Sequence, residues 1–197
     1  MPDPSAAADL TNLSGYDYLD DLLSGILQFQ PLAPALVQPD PEMVAYQPTP
    51  ARHIFDFLRR IALTEHDSFI DLGSGLGHVT LLASICSRAT CTGIELEPSY
   101  IECARTSARS LNLHNSRFIQ ADARAADFSR ATVFYLYTPF SGAILRAVLD
   151  ALRHQALIRP IRLCTFGPCT PRIAQEPWLT SAGPVETDRL AIFRTRH

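Results

Sequence analysis

Apolar and polar positions alternate along this chain in two rhythms, and their order predicts a sheet interleaved with helices. From residue 68 onward, short apolar runs stand at 68–72, 90–95, 116–121, 132–137 and 161–166. Each has the length and β-branched or aromatic character of a buried strand. Between them, residues 76–86, 98–111 and 141–154 repeat apolar side chains at helical spacing. Pro98 suits the first position of its helix, where no backbone N–H is needed. Two further runs, near 178–182 and 189–195, predict closing strands. Strand–helix–strand repetition of this kind argues for a parallel α/β sheet. Upstream, Leu19, Leu22, Leu23, Ile26 and Leu27 mark one face of a helix over 16–29, and Asp17, Asp20 and Asp21 favour its first turn. A second helix is predicted after Pro50, with Thr49 as N-cap and Ile54, Phe55, Leu58, Ile61 and Ala62 as its apolar face. Six prolines between 31 and 50 predict an extended linker, and residues 1–13 carry no regular pattern.

The most specific chemistry lies where the first strand ends. FIDLGSGLGHVTLL (69–82) places Asp71 at the end of an apolar run, glycines at 73, 75 and 77, and a helical segment directly behind them. Glycines allow close backbone approach to a ligand, and a helix N-terminus offers unpaired N–H groups and a positive dipole end. The turn therefore suits a nucleotide-like cofactor. The dinucleotide spacing G-x-G-x-x-G would need glycine at 78 or 80, and the chain has His78 and Thr80. A phosphate-binding G-K-[ST] sequence is absent, as is lysine altogether, which excludes Schiff-base chemistry. His78 reads as a polar residue at a helix start rather than as a base.

The later strands end in chemistry too. Glu95 closes the second in CTGIELEPS, Asp122 the third in RFIQADA, and Tyr137 the fourth in TVFYLYTPF. A carboxylate accepts two hydrogen bonds at once, as a ribose diol requires. Strand alternation sets Tyr135 opposite Phe134 and places it in the core. In an open α/β sheet all these groups meet at the carboxyl ends of the strands.

In order and interval, these four segments resemble motifs I to IV of the class I S-adenosylmethionine (SAM) methyltransferases over residues 46–197. The resemblance implies a three-layer, Rossmann-like fold with a seven-stranded, mostly parallel sheet. RLAIFRT would be its antiparallel C-terminal strand, and an N-terminal helical arm (1–45) would precede the methyltransferase domain (46–197). It implies SAM as cofactor, held by Asp71, Gly73, Ser74, Gly75, Gly77, Glu95, Leu96, Asp122 and Ala123. YQPTP (46–50) is similar to a segment of SET-independent protein-lysine methyltransferases, which would set Tyr46 beside the sulfonium and Thr49 on the cofactor carboxylate. Thr138-Pro139-Phe140 stands where amide and nucleobase N-methyltransferases carry N/D-P-P-Y. Nucleobase methylation is thus disfavoured, and Tyr137, Thr138, Phe140 and Tyr46 are the candidates for the catalytic pocket. The acceptor is a protein side chain, lysine-like, or a small metabolite. A SAM-binding module without catalysis is the alternative. An aminopropyltransferase would need an acid after strand 4, and none is present.

Composition narrows the partners. Residues 1–51 carry seven acids and no base, while residues 52–197 carry 17 arginines against 13 acids. The net charge of −3 makes a nucleic-acid backbone a poor partner. No apolar run reaches the roughly 18 residues that span a membrane. The N-terminus lacks a secretory pattern, so a cytoplasmic protein is expected. Five scattered cysteines read as reduced thiols, and the pair Cys164/Cys169 lacks the further ligands of a zinc site. A homodimer is left open.

Overall fold

A computed structural model describes residues 17–29 and 40–196. Seven strands form one sheet in the order β3-β2-β1-β4-β5-β7-β6. They are β1 (Ser68–Leu72), β2 (Thr90–Glu95), β3 (Ser116–Gln120), β4 (Val133–Tyr137), β5 (Arg162–Phe166), β6 (Leu179–Ser181) and β7 (Ala191–Thr195). Strands β1 to β5 pair in parallel, and β7 lies between β5 and β6, antiparallel to both. The strand order reverses between β1 and β4. Such a reversal, at the carboxyl ends of the strands, is where open α/β sheets bind ligands.

Helices cover both faces. One core layer joins Phe69, Cys91, Phe118, Tyr135 and Cys164 of the sheet to α1 (Tyr18–Leu27), α2 (Ala51–Ile61), α3 (His78–Cys86) and α4 (Pro98–Ser110). The other joins Ile70, Leu72, Ile94, Phe134 and Leu136 to α5 (Gly142–Ile158) and the short α6 (Thr170–Ile173). Strand alternation sorts these residues, with Tyr135 and Phe134 on opposite faces as expected. Between β3 and β4 the chain makes only a 3₁₀ turn (Ala123–Ala125).

Two expectations for α2 change. Phe55 faces solvent at 45% exposure, while Phe57 is fully buried between Phe69 and Tyr135. The helix turns Ile54, Phe57 and Ile61 inward, a stripe at i, i+3 and i+7. Thr49 does not cap the helix either. The Ala51 N–H donates instead to Asp20 Oδ1 of α1 at 2.7 Å, and the Thr49 hydroxyl lies 3.2 Å from the Tyr135 hydroxyl. Asp20 also closes a capping box, accepting from the Asp17 N–H at 2.7 Å while Asp17 accepts from Leu19. One carboxylate thereby starts two helices. Leu23 and Leu27 bury α1 in the same core layer as the sheet, so this part of the acidic arm is integral to the body. The readings of residues 1–13, of Tyr16 and of the prolines at 31, 34 and 39 lie outside the described residues.

Residues 40–50 run as a strap across the carboxyl ends of the strands. Met43 forms an antiparallel bridge with Phe140. The Val44 N–H donates to the Pro139 carbonyl at 3.1 Å and the Ser141 N–H to the Glu42 carbonyl at 2.8 Å. The Glu42 carboxylate accepts from the Ile144 N–H at 2.9 Å and caps α5, whose own Ser141 makes no side-chain cap. This pairing sets Tyr46 over the glycine turn and Thr49 beside Tyr135 of β4.

Asp20→Ala is expected to destabilise the fold by about 1–2 kcal/mol, the usual cost of a lost N-cap. Asp21→Ala, on the exposed side of the same helix, is expected to change stability by less than about 0.5 kcal/mol. Urea denaturation of both variants measures the difference.

Candidate cofactor and acceptor site

The glycine turn bends through three left-handed residues, with φ of 73° at Gly73, 53° at Gly75 and 88° at Gly77. That path lets one carbonyl, Ile94 O, accept from both the Gly73 N–H (2.9 Å) and the Ser74 N–H (3.0 Å). The turn is also crowded. A Cβ on Gly73 would stand 2.2 Å from Pro139, and one on Gly75 would stand 2.2 Å from the Tyr46 ring. Ser74 points its hydroxyl down toward Gly93, where it is buried without a hydrogen-bond partner, so this residue shapes the turn from beneath.

Glu95 lies directly against the turn. Its carboxylate accepts from the N–H groups of Gly75 (2.9 Å), Leu96 (2.7 Å) and Glu97 (2.9 Å). Three donors fix its orientation and leave acceptor capacity for a diol. Asp71 is buried, and its Oδ2 accepts from the Thr80 hydroxyl at 3.0 Å. Burial, opposed by that bond and reinforced by the Glu95 charge, pushes its pKa up to about 7. Asp122 caps the 3₁₀ turn and grips Arg124, with Arg124 Nε at 3.0 Å from both carboxylate oxygens. The Arg124 bonds, working against partial burial, hold its carboxyl below the usual range. Ala123 beside it is buried, and Leu96 is half-buried.

The strap completes this side. The Tyr46 hydroxyl lies 3.3 Å from His78 Nδ1, and the Tyr46 ring packs on Tyr100 with centroids 5.0 Å apart. Phe29, just beyond α1, packs on His78 at 4.4 Å. Burial lowers the His78 pKa to about 4, so the imidazole is neutral and supports Tyr46 rather than carrying charge. Thr49 reaches Tyr135 beneath the strap.

On the far side, Thr138 has φ of 40°, an outlying conformation for a β-branched residue. Its hydroxyl donates to the Phe166 carbonyl and accepts from the Cys169 N–H, both at 3.1 Å. Thr138 thus locks the end of β4 to the end of β5. Phe140 is held by the strap. Tyr137 is half-buried beside Phe166, with centroids 4.8 Å apart, and His53 of α2 also packs on Phe166 at 4.2 Å. Phe166 and His53 escaped the sequence reading. Their only trace was position, β5 ending level with β4 and His53 following Tyr46 by seven residues in one continuous segment. Thr80 escaped as well, although the Asp71-to-Thr80 interval spans only the glycine turn.

Crowded positive-φ glycines, an oriented carboxylate at the end of β2 and a buried acid at the end of β1 fit a SAM-sized cofactor lying over the turn. A family model described as histone methylation protein DOT1 matches residues 43–134, from the strap to the start of β4. Among solved structures the chain is similar to an RNA methyltransferase from Salinibacter ruber in complex with S-adenosyl-L-homocysteine. That pair shares 25% identity over 76% of this chain and 92% of the other, with a TM-score of 0.59. It is also similar to TrmN from Thermus thermophilus (20% identity, 73% of this chain and 48% of that one, TM-score 0.57). A SAM-dependent methyltransferase from Aquifex aeolicus superposes with a TM-score of 0.58 (14% identity, 72% of this chain and 88% of that one). A search of curated proteins gave no match.

Asp71 and His78 make opposing contributions to stability. The folded Asp71 keeps a proton that its unfolded form loses above pH 3.8, so its contribution falls as pH rises toward about 7. His78 refuses a proton that its unfolded form takes below pH 6.5, so its contribution rises from pH 4 to 6.5. Asp71→Asn removes the first and keeps the second. The variant is expected to gain stability from pH 4 to 6.5 more steeply than the wild type, and to exceed it at pH 8 by about 2 kcal/mol or more, since one pKa unit is worth about 1.4 kcal/mol. Thermal melts across this range check both expectations.

Proposed function

We propose that this chain, a class I S-adenosylmethionine-dependent methyltransferase, methylates the side-chain amine of a protein lysine. In this reading Glu95 holds the ribose hydroxyls, and Leu96, Asp122 and Ala123 surround the adenine. Gly73, Ser74, Gly75 and Gly77 form the floor, while Asp71 and Thr49 face the methionine portion. SAM supplies a methyl group on a sulfonium, which leaves by in-line displacement as the sulfur becomes a neutral thioether. No acid is needed at the leaving group. The protein has to orient the acceptor nitrogen, keep water out and dispose of one proton.

One observation carries the choice of acceptor. At the end of β4 the Thr138 hydroxyl is engaged in both directions by Phe166 and Cys169. A planar nucleobase or amide amino group would need a side-chain acceptor there, whereas an alkyl amine needs only an apolar and aromatic wall. Tyr137 and Phe140 supply that wall, with Tyr46 on the strap. The histone methylation model covers the strap as well as the cofactor strands, which favours the same reading. The similarity to an RNA methyltransferase favours a second acceptor class, a structured RNA.

Incubating the protein with tritiated SAM and a cell lysate, then separating protein, RNA and small molecules, tests the proposal. Label in the protein fraction that hydrolyses to methyl-lysine is the expected outcome. Label confined to RNA supports the second reading, and label only among small molecules replaces both with a metabolite acceptor. Absence of label in every fraction leaves a SAM-binding module. Glu95→Ala is expected to abolish whichever label the wild type deposits, through a loss of cofactor affinity of at least about tenfold.

A further inference from the structure

Tyr137, Phe166 and His53 stand together outside the glycine turn, at the carboxyl ends of β4 and β5. Tyr137 and Phe166 are register partners, with rings 4.8 Å apart, and the His53 ring lies 4.2 Å from Phe166. Tyr137 and His53 are half-buried. His53 Nε2 accepts a hydrogen bond from Arg52 Nε at 3.3 Å, so in this arrangement its lone pair faces outward toward a cation. The charged groups acting on His53 come from three elements. Arg52 and Asp56 belong to α2, Asp20 to α1 and Asp188 to the β6–β7 connection. That connection is tied to the end of β5, where the Gly167 N–H donates to the Thr187 carbonyl at 3.0 Å. Three carboxylates thus act on His53 together with the Arg52 cation at its rim, and one of them, Asp56, is itself paired with Arg59 and Arg60. Burial and the Arg52 charge together outweigh these carboxylates and lower the His53 pKa, so the ring is neutral above its ordinary 6.5.

We infer that Tyr137, Phe166 and His53 form the port for the acceptor's alkylammonium group, and that His53 Nε2 takes the proton which must leave before the nitrogen can attack. The inference rests on the amine reading above. The acceptor ammonium displaces Arg52 from Nε2 and lies against the ring faces, a cation–π arrangement. One N–H bond of the ammonium breaks and an Nε2–H bond forms. The nitrogen recovers its lone pair, and the imidazolium passes the proton to water. Desolvation at the half-buried port works against the ammonium charge, while the ring faces and the carboxylates favour it, so the transfer to Nε2 is completed by loss of the proton to water.

The test begins with the full chain without cofactor. Histidine-labelled protein is titrated with n-butylammonium and, separately, with n-butanol. His53→Gln assigns the His53 signal among the six histidines. A saturable shift of the His53 ring nitrogens with the amine, and none with the alcohol, is expected. No shift, or equal shifts with both, overturns the port. The second arm measures methyl transfer. His53→Gln is expected to lower kcat about 100-fold and to remove the acidic limb of the kcat–pH profile, which in the wild type lies below pH 6.5, with SAM affinity unchanged. An unaltered kcat and pH profile overturns the proton role. A wild type that labels lysine but shows no His53 response keeps the amine reading and refutes the port. A wild type that neither labels lysine nor shifts with butylammonium refutes both.

Discussion

One carbonyl organises this site. Ile94 O accepts from two successive N–H groups, those of Gly73 and Ser74, and so staples the turn after β1 to the last residues of β2. Two successive donors converge on one acceptor because the backbone between them is left-handed at Gly73. The next residue after Ile94 is Glu95, and the staple brings its carboxylate to 2.9 Å from the Gly75 N–H. Close packing follows from the same geometry. Pro139 and Tyr46 approach the turn so nearly that a single methyl at Gly73 or Gly75 would displace them. The acid at the end of β2, the turn after β1, the end of β4 and the N-terminal strap are held in one arrangement around the contact of two successive N–H groups with one distant carbonyl.

The strap ties this arrangement to the rest of the molecule. Glu42 caps α5 on one side of the sheet, Asp20 starts α2 on the other, and Tyr46 and Thr49 between them reach His78 and Tyr135. Glu42 and Asp20 satisfy orphan backbone donors, Thr49 a buried hydroxyl and Tyr46 a buried imidazole, and each depends on a residue distant in sequence. The acidic N-terminal region therefore acts partly as a supply of helix caps for the body.

Much of the fold was legible because its signals are local. Strand length, apolar runs and helix starts are written in neighbouring residues, and the predicted strands match the observed ones to within a residue or two. The parallel α/β topology followed from the alternation of strands and helices, and the antiparallel β7 from the resemblance to class I methyltransferases. What escaped was decided by tertiary contact. Phe55 and Phe57 are equally apolar, and only the packing against Phe69 and Tyr135 selects Phe57. Thr49 looked like a cap because Asp20, 31 residues before Ala51, could not be seen to take that place. That the Thr138 hydroxyl is engaged on both sides could not be read locally, because its two partners lie 28 and 31 residues downstream. His78 and Thr80, which first argued against a dinucleotide, turn out to carry the site's internal support, one beneath Tyr46 and the other on Asp71.

The central claim is that the stapled turn and Glu95 form a site for SAM rather than for a dinucleotide. Titration calorimetry of the wild-type chain with SAM, and separately with NAD, addresses it directly. The account predicts one-to-one binding of SAM, its loss in Gly75→Ala, where a Cβ would meet Tyr46, and no heat with NAD. Binding of NAD, or SAM binding that survives Gly75→Ala unchanged, would contradict it.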